Sequence, residues 1–416
     1  MKIFLDSNAS TRVDDAVLEA MIPYFTDFFS PPSSDYGHSF GIEAKQALDS
    51  ARATIAKKIN AEIKEIVFTS GQTESNNHVI KGLAFSKINA DNKLLIASSV
   101  SHSSVLDTMH ALEKYGFTVK VIDVDSKGNV KREHLIQLLQ ERPILVSVPH
   151  ANVEIGTIED IKELTTICHE YKTMIHIDAT FSFSKIPIDV KEAGIDLLTM
   201  DGHLLHGPKG AGALFIRRGI KVERLLDGGL QENTKRGGTE NIPGIVGFAK
   251  AVSLYTSEVI KQVKDLRDYL WDLLDRKLPN FDITGSTDRN NRLPNHLSFV
   301  IAYIEGESIL LHLDMLGFMI ATGSACSSKK LKASHVLTAI GLPQEISHGS
   351  VRIGLSKYNT REEIEQFVEQ LVTVVKRLRE MSPLNAEMLK EWMEMKERGE
   401  VAIEDDHYHD IIMEEN

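Results

Sequence analysis

Residues 143–179 read PILVSVPHANVEIGTIEDIKELTTICHEYKTMIHIDA. Two short apolar runs, PILVSVPH (143–150) and TMIHIDA (173–179), lie at its ends, and residues 158–171 between them have helical spacing of polar and apolar positions. Short apolar runs bounded by turn residues are typical of buried strands. The stretch therefore predicts a strand, a helix and a second strand.

The same alternation extends on both sides of this stretch. Further apolar runs occupy 65–71, 93–99, 117–125, 195–200 and 212–218, with helical stretches at 41–59 and 130–141. Strands that alternate with helices form mostly parallel sheets with helices on both faces. We therefore predict an α/β fold, with a large domain of this kind over residues 1–250.

The pattern changes after about residue 250. One long helix is predicted near 250–277 and hairpin-like segments around 281–303, which indicates a smaller α+β domain over 251–381. Residues 1–15 are candidates to pack on this smaller domain. Residues 382–416 are predicted to form an acidic, partly helical tail, because one helical face would carry Leu389, Trp392, Met393 and Lys396.

Composition excludes several classes of protein. Of the 416 residues, 42% are hydrophobic and 25% are charged, which is an ordinary globular balance. No uninterrupted run reaches about 18 apolar residues, the length of a spanning helix. The opening segment MKIFLDSNAS has no apolar signal core, so we expect a cytoplasmic chain. Two cysteines are too few for a disulfide framework.

The net charge of −12 lies mostly at the C-terminal end. From Ser382 onward there are 11 acidic and 3 basic residues, so the remaining body is nearly neutral. A nearly neutral body lacks the basic surface that binds nucleic acid. We expect no metal site. The sequence does not decide the role of His407 and His409, a lone His-x-His of the kind that is usually just solvated in an acidic tail.

Polar residues follow several of the predicted strands. They include Thr73, His102, Asn152 and Asp178. Because ligands of open parallel sheets bind beyond the carboxyl ends of the strands, these side chains are candidates to share one pocket. The SGQT segment before a predicted helix offers backbone N–H groups to an anion such as phosphate, although a simple capped helix is the favoured interpretation of this segment alone.

Asp178 and one of the two cysteines are the strongest candidates for chemistry. Asp178 directly follows an apolar strand, where a carboxylate requires a cationic or hydrogen-bonding partner. Cys326 lies in ATGSACSS (321–328), and small neighbours allow a thiol to move or to be approached. Cys168 lies among helically spaced apolar residues and is predicted to be an inert, packed side chain.

Several longer motifs occur together in one order. They are LDSNAST (5–11), PSSDYGHSFG (32–41), FTSGQTESNN (68–77), HANVEIGT (150–157), HIDA (176–179), HGPKGAGALFIRR (206–218), GGTENIPGIVGF (237–248), ATGSACSS (321–328) and SHGSVRIGLSKYNT (347–360). With these motifs the chain resembles the NifS-like cysteine desulfurases, which are class V, fold-type I pyridoxal phosphate enzymes. The resemblance spans roughly residues 1–380 and implies the fold-type I transferase architecture.

The resemblance implies a homodimer whose large domain binds pyridoxal phosphate, which a lysine holds as a Schiff base until substrate cysteine displaces it. By position in the motifs, Thr73 and His203 would contact the cofactor phosphate. Asp178 would pair with the pyridine nitrogen, which makes the ring an electron sink. Asn152 would contact the ring oxygen or the substrate.

Three further residues would act on the substrate. His102 would stack on the ring and move protons, and Arg352 would bind the substrate carboxylate through its bidentate fork. Cys326 would attack the sulfur of L-cysteine and keep it as a persulfide while alanine leaves.

The match breaks at the cofactor lysine. The family stretch Ser-x-His-Lys-x-x-Gly-Pro-Lys-Gly corresponds here to DGHLLHGPKG, in which Leu204 occupies the Schiff-base position. Leucine has no amine to form that linkage. Asp201 replaces a serine that would donate a hydrogen bond to the cofactor phosphate. The negative charge of the Asp201 carboxylate would instead repel that phosphate. Phe181 and Ser101 replace a glutamine and a glutamate of the family pattern.

Two functional hypotheses follow from this mixed pattern. In the first, the chain is a desulfurase that binds the cofactor non-covalently and mobilises sulfur on Cys326, from L-cysteine or another donor, for iron–sulfur cluster, thio-cofactor or tRNA biosynthesis. In the second, it is a non-catalytic relative that has lost the cofactor and acts as a sulfur acceptor or as a partner of an iron–sulfur scaffold. Lys209 matches the family's ordinary second lysine and is not expected to replace the missing one.

Overall fold

The computed structural model describes residues 2–302, 304–323, 334–381 and 394. Cys326 lies outside these ranges, and so does the predicted tail helix apart from Glu394.

Twelve strands lie in the described residues, and the seven between residues 66 and 216 follow the predicted apolar runs closely. The twelve strands are β1 (Ile3–Phe4), β2 (Ile66–Thr69), β3 (Leu94–Ser98), β4 (Thr118–Ile122), β5 (Leu145–Pro149), β6 (Met174–Asp178), β7 (Leu197–Asp201), β8 (Gly212–Ile216), β9 (Asp282–Ile283), β10 (His296–Val300), β11 (Phe318–Met319) and β12 (Ser350–Gly354).

Helices connect most of these strands. They are α1 (Asp15–Met21), α2 (Pro23–Thr26), α3 (Ser39–Lys58), α4 (Gln72–Ser86), α5 (Ser103–His110), α6 (Arg132–Leu139), α7 (Ile161–Glu170), α8 (Ile242–Leu254), α9 (Ser257–Lys277), α10 (Gly306–Met315), α11 (His335–Ala339), α12 (Gln344–Ser347) and α13 (Arg361–Met381). Short 3₁₀ turns lie at Pro32–Ser34, Ile63–Glu65, Glu113–Tyr115, His203–Leu205 and Gln231–Thr234.

A seven-stranded sheet organises residues 66–216, in the order β2-β8-β7-β6-β5-β3-β4. Neighbouring strands of this sheet are parallel, except that β8 is antiparallel to both β7 and β2. β5 and β6, the two strands predicted at 143–150 and 173–179, pair in parallel with Val146 opposite Ile175. The prediction of a mostly parallel α/β sheet is therefore confirmed.

Helices cover both faces of this sheet. Successive strand residues point to opposite faces, so Ile96 and Val146 join one apolar cluster while Leu95 and Leu145 join another. The first cluster includes residues of α3, α6, α7 and α8, and the second includes residues of α4 and α5. Burial on both faces explains why the strands read as nearly continuous apolar runs.

A second unit follows in the sequence. β9, β10 and β12 form an antiparallel sheet that shares an apolar cluster with α9 and α13. Ile3 and Leu5 belong to this cluster, and β1 pairs in parallel with β11. The N-terminal residues thus pack against the second unit. The division at residue 250 remains a prediction, and α8 runs across it.

The single helix predicted over 250–277 is wrong. The structure has two helices there, because Tyr255 leaves helical geometry at ψ 76° and Thr256 begins a new helix as its N-cap. The Thr256 hydroxyl accepts a hydrogen bond from the backbone N–H of Val259 at 3.5 Å. A capping threonine inside an apolar helical pattern was the overlooked signal.

A buried ion pair fixes the loop that follows β8. Arg52 of α3 binds the Glu232 carboxylate through both terminal nitrogens, at 2.6 and 2.7 Å, and Glu232 also accepts from the backbone N–H of Phe68 at 2.8 Å. Glu232 and the next two residues, Asn233 and Thr234, all have positive φ, at 49°, 52° and 67°. This conformation is costly for side chains other than glycine, so the ion pair helps to hold a strained segment.

Among the described residues, no helix combines the length and the apolar composition needed to cross a membrane.

Candidate active site

Two buried acidic residues lie at one edge of the seven-stranded sheet. Asp178 is the last residue of β6 and Asp201 is the last residue of β7. Because these strands pair in parallel, both carboxylates emerge at their C-terminal edge. α4 begins beside them at Gln72. We call Gln72, His102, Asp178, Asp201 and His203 the strand-end pocket.

Asp178 is saturated with hydrogen bonds from the chain itself. Its Oδ2 accepts from the Gln72 side-chain amide at 2.8 Å and from that of Asn76 at 2.9 Å. Its Oδ1 accepts from the backbone N–H of Thr180 at 3.1 Å and from the Thr180 hydroxyl at 2.7 Å. An ionised carboxylate accepts about four hydrogen bonds, so these donors use its capacity.

Asp201 binds the start of α4 and the following turn. Its Oδ2 accepts from the backbone N–H of Gln72 at 2.8 Å. Its Oδ1 accepts from the His203 backbone N–H at 3.0 Å and lies 2.7 Å from Nδ1 of the His203 ring. Gly71, at φ 143°, permits this approach, because a Cβ there would lie 2.7 Å from Asp201 Oδ2. A carboxylate therefore occupies the anion-binding position of a helix N-terminus.

His102 joins the pocket through a chain of polar side chains. As the N-cap of α5, it accepts the Ser104 backbone N–H at its Nδ1, 3.1 Å away. The same Nδ1 lies 2.8 Å from the Ser104 hydroxyl, which accepts from the Asn76 amide at 2.8 Å. Asn76 also donates to Asp178, so His102 and Asp178 belong to one network.

Thr73 and Asn152, which the resemblance assigns to the cofactor, lie in different surroundings. Thr73 is exposed at the second position of α4. Asn152 is buried, and its side-chain N–H donates to the Val100 carbonyl at 2.9 Å. Its side-chain oxygen accepts from the backbone N–H groups of Glu154 and Ile155. Both ends of the Asn152 amide thus brace a turn of the backbone.

Arg352 lies in β12, where it pairs with Ser298 of β10. One terminal nitrogen is 3.7 Å from Asp6 Oδ1, and its buried Nε has no hydrogen-bond partner among the described residues. Burial raises the pKa of Asp6 above its usual value, and the positive charge of Arg352 offsets part of that rise. The guanidinium therefore retains a donor for a further acceptor.

Neither Leu204 nor Lys209 places an amine in the strand-end pocket. Leu204 is the middle residue of the 3₁₀ turn His203–Leu205, and its side chain is buried. Lys209 is exposed, and its Nζ donates to the backbone carbonyl of Thr11 at 3.2 Å. Phe181 is half-buried and Ser101 is buried.

The two cysteines differ in what the structure describes. Cys168 is buried in α7, and burial raises its pKa to about 12, so almost none of it is thiolate near neutral pH. Cys326 lies outside the described residues, but both flanks are fixed. Before it, the Gly323 N–H donates to the Ser350 hydroxyl at 2.9 Å. After it, Ser334 donates to the carboxylate of Glu154, and His335 Nε2 lies 3.1 Å from the carbonyl of Ser101.

The sequence reasoning missed the donors that surround Asp178. Gln72 and Asn76 are four residues apart, which places both on one face of a helix, and α4 was expected to begin near them. The four-residue spacing of Gln72 and Asn76, on either side of Thr73, was the sequence signal that could have identified these two donors. No sequence pattern marks Ser104 and Thr180, which reach the network only through the fold.

The chain belongs to the class V aminotransferases, whose family model matches residues 3–367. Its relatives within that family include cysteine desulfurases. The cysteine desulfurase IscS of Dictyoglomus turgidum is 45% identical over 389 residues, which cover 93% of this chain and 98% of that protein. The IscS of Methanosarcina thermophila is 45% identical over 386 residues, covering 92% and 94%.

A solved structure titled NifS-like protein superposes with a TM-score of 0.84 at 36% identity, covering 91% of this chain and 100% of that one. Fold-type I architecture is thereby confirmed. Class V aminotransferases and cysteine desulfurases depend on pyridoxal phosphate.

The strand-end pocket of this chain does not fit that cofactor. A phosphate would have to share the Gln72 N–H and His203 with the Asp201 carboxylate, at the cost of strong repulsion. A pyridine N–H would have to displace a donor already bound to Asp178. Leu204 cannot supply the covalent link. The polar atoms of the pocket are bound to one another instead.

Proposed function

We propose that this chain is a sulfur carrier of the cysteine desulfurase family, which holds sulfur as a persulfide on Cys326 without a lysine-bound cofactor. The supporting observation is the closed network in which Gln72 joins Asp178 to Asp201, beside Leu204 in the lysine position. Family membership supports sulfur as the cargo. The acceptor is an iron–sulfur scaffold or another sulfur-accepting protein.

The transfer requires no electron sink. The Cys326 thiolate attacks the terminal sulfur of a donor persulfide, R–S–SH. A new S–S bond forms at Cys326, the old S–S bond breaks, and the donor leaves as the thiolate R–S⁻. Atoms and electrons balance without an oxidant. The same exchange, in reverse, delivers the sulfur to an acceptor thiol.

The flanks of Cys326 support its access to the strand-end pocket and to Arg352. Cys326 is three positions after Gly323 in the sequence, and an extended chain spans at most about 11 Å over three positions. Gly323 is bound to Ser350, two residues before Arg352, and His335 on the other flank is next to Ser101, the neighbour of His102.

A working desulfurase is the second candidate, and Arg352 favours it. Its buried guanidinium has an Nε without a hydrogen-bond partner among the described residues, as a receptor for a substrate carboxylate would. In that case L-cysteine is the donor and alanine is the product.

We also propose that a second copy covers the aromatic face near α2 and α3. Phe25, Phe29 and Tyr36 are 60%, 66% and 100% exposed in one copy, which is unusual for three aromatic side chains within twelve residues of sequence. The family resemblance implies a homodimer, and sedimentation equilibrium should give twice the mass of one chain.

Persulfide mapping tests the proposed carrier. The unmodified chain, Cys326→Ser and Cys168→Ser are each incubated with cysteine persulfide, desalted and digested for mass spectrometry. One added sulfur is expected on Cys326 in the unmodified chain and in Cys168→Ser, and none in Cys326→Ser. Sulfur on Cys168, or retained sulfur in Cys326→Ser, would refute the carrier assignment.

A parallel incubation with L-cysteine and pyridoxal phosphate separates the two candidates. The carrier predicts neither alanine nor persulfide above the level of free cofactor with cysteine. Alanine released together with Cys326 persulfide would establish the desulfurase instead.

A further inference from the structure

We infer that the strand-end pocket is filled by built-in substitutes for the cofactor: the Asp201 carboxylate takes the place of a phosphate, and the Gln72 amide takes the place of the ring N–H. This goes beyond the carrier proposal and does not involve Cys326. It rests on the same network as the proposed function, but the phosphate test below and the persulfide test of Cys326 can fail separately.

The first part concerns the donors around Asp201. Three N–H donors converge on its carboxylate: the Gln72 backbone, the His203 backbone and the His203 ring. Backbone N–H groups at a helix start, together with a ring donor, are the set that binds phosphate in other proteins. Here they bind an anion that belongs to the chain and is almost completely buried.

The second part concerns Gln72, which connects both acidic residues. Its backbone N–H binds Asp201, and its side-chain N–H binds Asp178. Asp178 would otherwise be a buried carboxylate with one vacant acceptor position, which is costly. The Gln72 side chain fills that acceptor position of Asp178 with a neutral N–H donor. A protonated ring nitrogen would fill the same position with a charged N–H donor.

The inference has a consequence for variants. Removing the Asp201 carboxylate leaves three donors without an acceptor at a helix start. Of the acids nearby, Asp178 is held by the Gln72 side chain, and Glu74 in the first turn of α4 is paired with Arg236. Asp201→Ser should therefore create a phosphate site at this helix start. A serine also removes the charge that repels phosphate.

Thermal unfolding in inorganic phosphate tests this directly. Asp201→Ser should be less stable than the unmodified chain in buffer, and its Tm should rise with the logarithm of phosphate concentration. Phosphate also stabilises proteins in general by exclusion from their surfaces. The quantity measured is therefore the Tm rise of the variant minus that of the unmodified chain, each against matched chloride.

Asp189→Ser is the matched control. Asp189 likewise accepts from two backbone N–H groups, those of Lys191 and Glu192, and from the Asn60 side chain, but it lies outside the pocket. Its phosphate response should equal that of the unmodified chain.

Asp201→Asn, which keeps the shape of the side chain, decides the case if Asp201→Ser does not fold. A phosphate-dependent gain in Tm for either Asp201 variant, absent from Asp189→Ser, supports the inference. No gain in either variant, or an equal gain in the unmodified chain, overturns it.

Discussion

Leu204→Lys combined with Asp201→Ser and Gln72→Ala should convert the chain into one that binds pyridoxal phosphate covalently. The lysine supplies the missing amine, the serine removes the repelling carboxylate, and the alanine frees one acceptor position on Asp178. Binding should change from undetectable to nearly one cofactor per chain, measured by the visible absorbance of a lysine-bound cofactor after gel filtration.

Leu204→Lys alone should fail, because Asp201 and Gln72 still occupy the donors and the acceptor. The matched control is the same triple variant with Leu204→Met, which lacks an amine and should give no adduct that borohydride can reduce. Full covalent binding by the single variant Leu204→Lys would show that the network yields to the cofactor.

Arg52→Met should destabilise the folded chain by about 3–5 kcal/mol. It leaves the Glu232 carboxylate buried without its countercharge, in a segment with three consecutive residues at positive φ. The same loop supports the pocket, because Arg236 binds Glu74 in the first turn of α4 at 2.8 Å. The free energy of unfolding from urea titration measures the effect.

Arg224→Met is the control for that loss. Arg224 also pairs with an acid at 2.7 Å, but Asp227 is 87% exposed, so its removal should cost less than about 1 kcal/mol. Adding Glu232→Met to Arg52→Met should recover part of the loss, because the unpaired charge is then removed as well. Equal effects of Arg52→Met and Arg224→Met would show that the buried pair contributes little.

The strands were predictable because burial on both faces makes each one a short apolar run, as at 143–150 and 173–179. The split between α8 and α9 was missed because both helices carry apolar positions in helical spacing across Thr256. Regular spacing alone does not show where one helix ends and another begins.

The sequence predicted which residues belong to the candidate site, but it did not predict the contacts between them. The resemblance pointed to Asp178, His203 and Asp201, and the charge of Asp201 already argued against a phosphate. That Asp201 would bind the Gln72 backbone depends on how β7 lies against the start of α4, with glycine at position 71. Such a contact between distant segments has no local signal in the sequence.

The central claim is that this member of the cysteine desulfurase family has a strand-end pocket closed to the cofactor by its own side chains. The absorbance spectrum of the purified, unmodified chain tests that claim most directly. The protein is mixed with excess pyridoxal phosphate, separated from the free cofactor by gel filtration, and its spectrum is recorded. We expect protein absorbance alone. A bound cofactor band at close to one equivalent per chain would contradict the account.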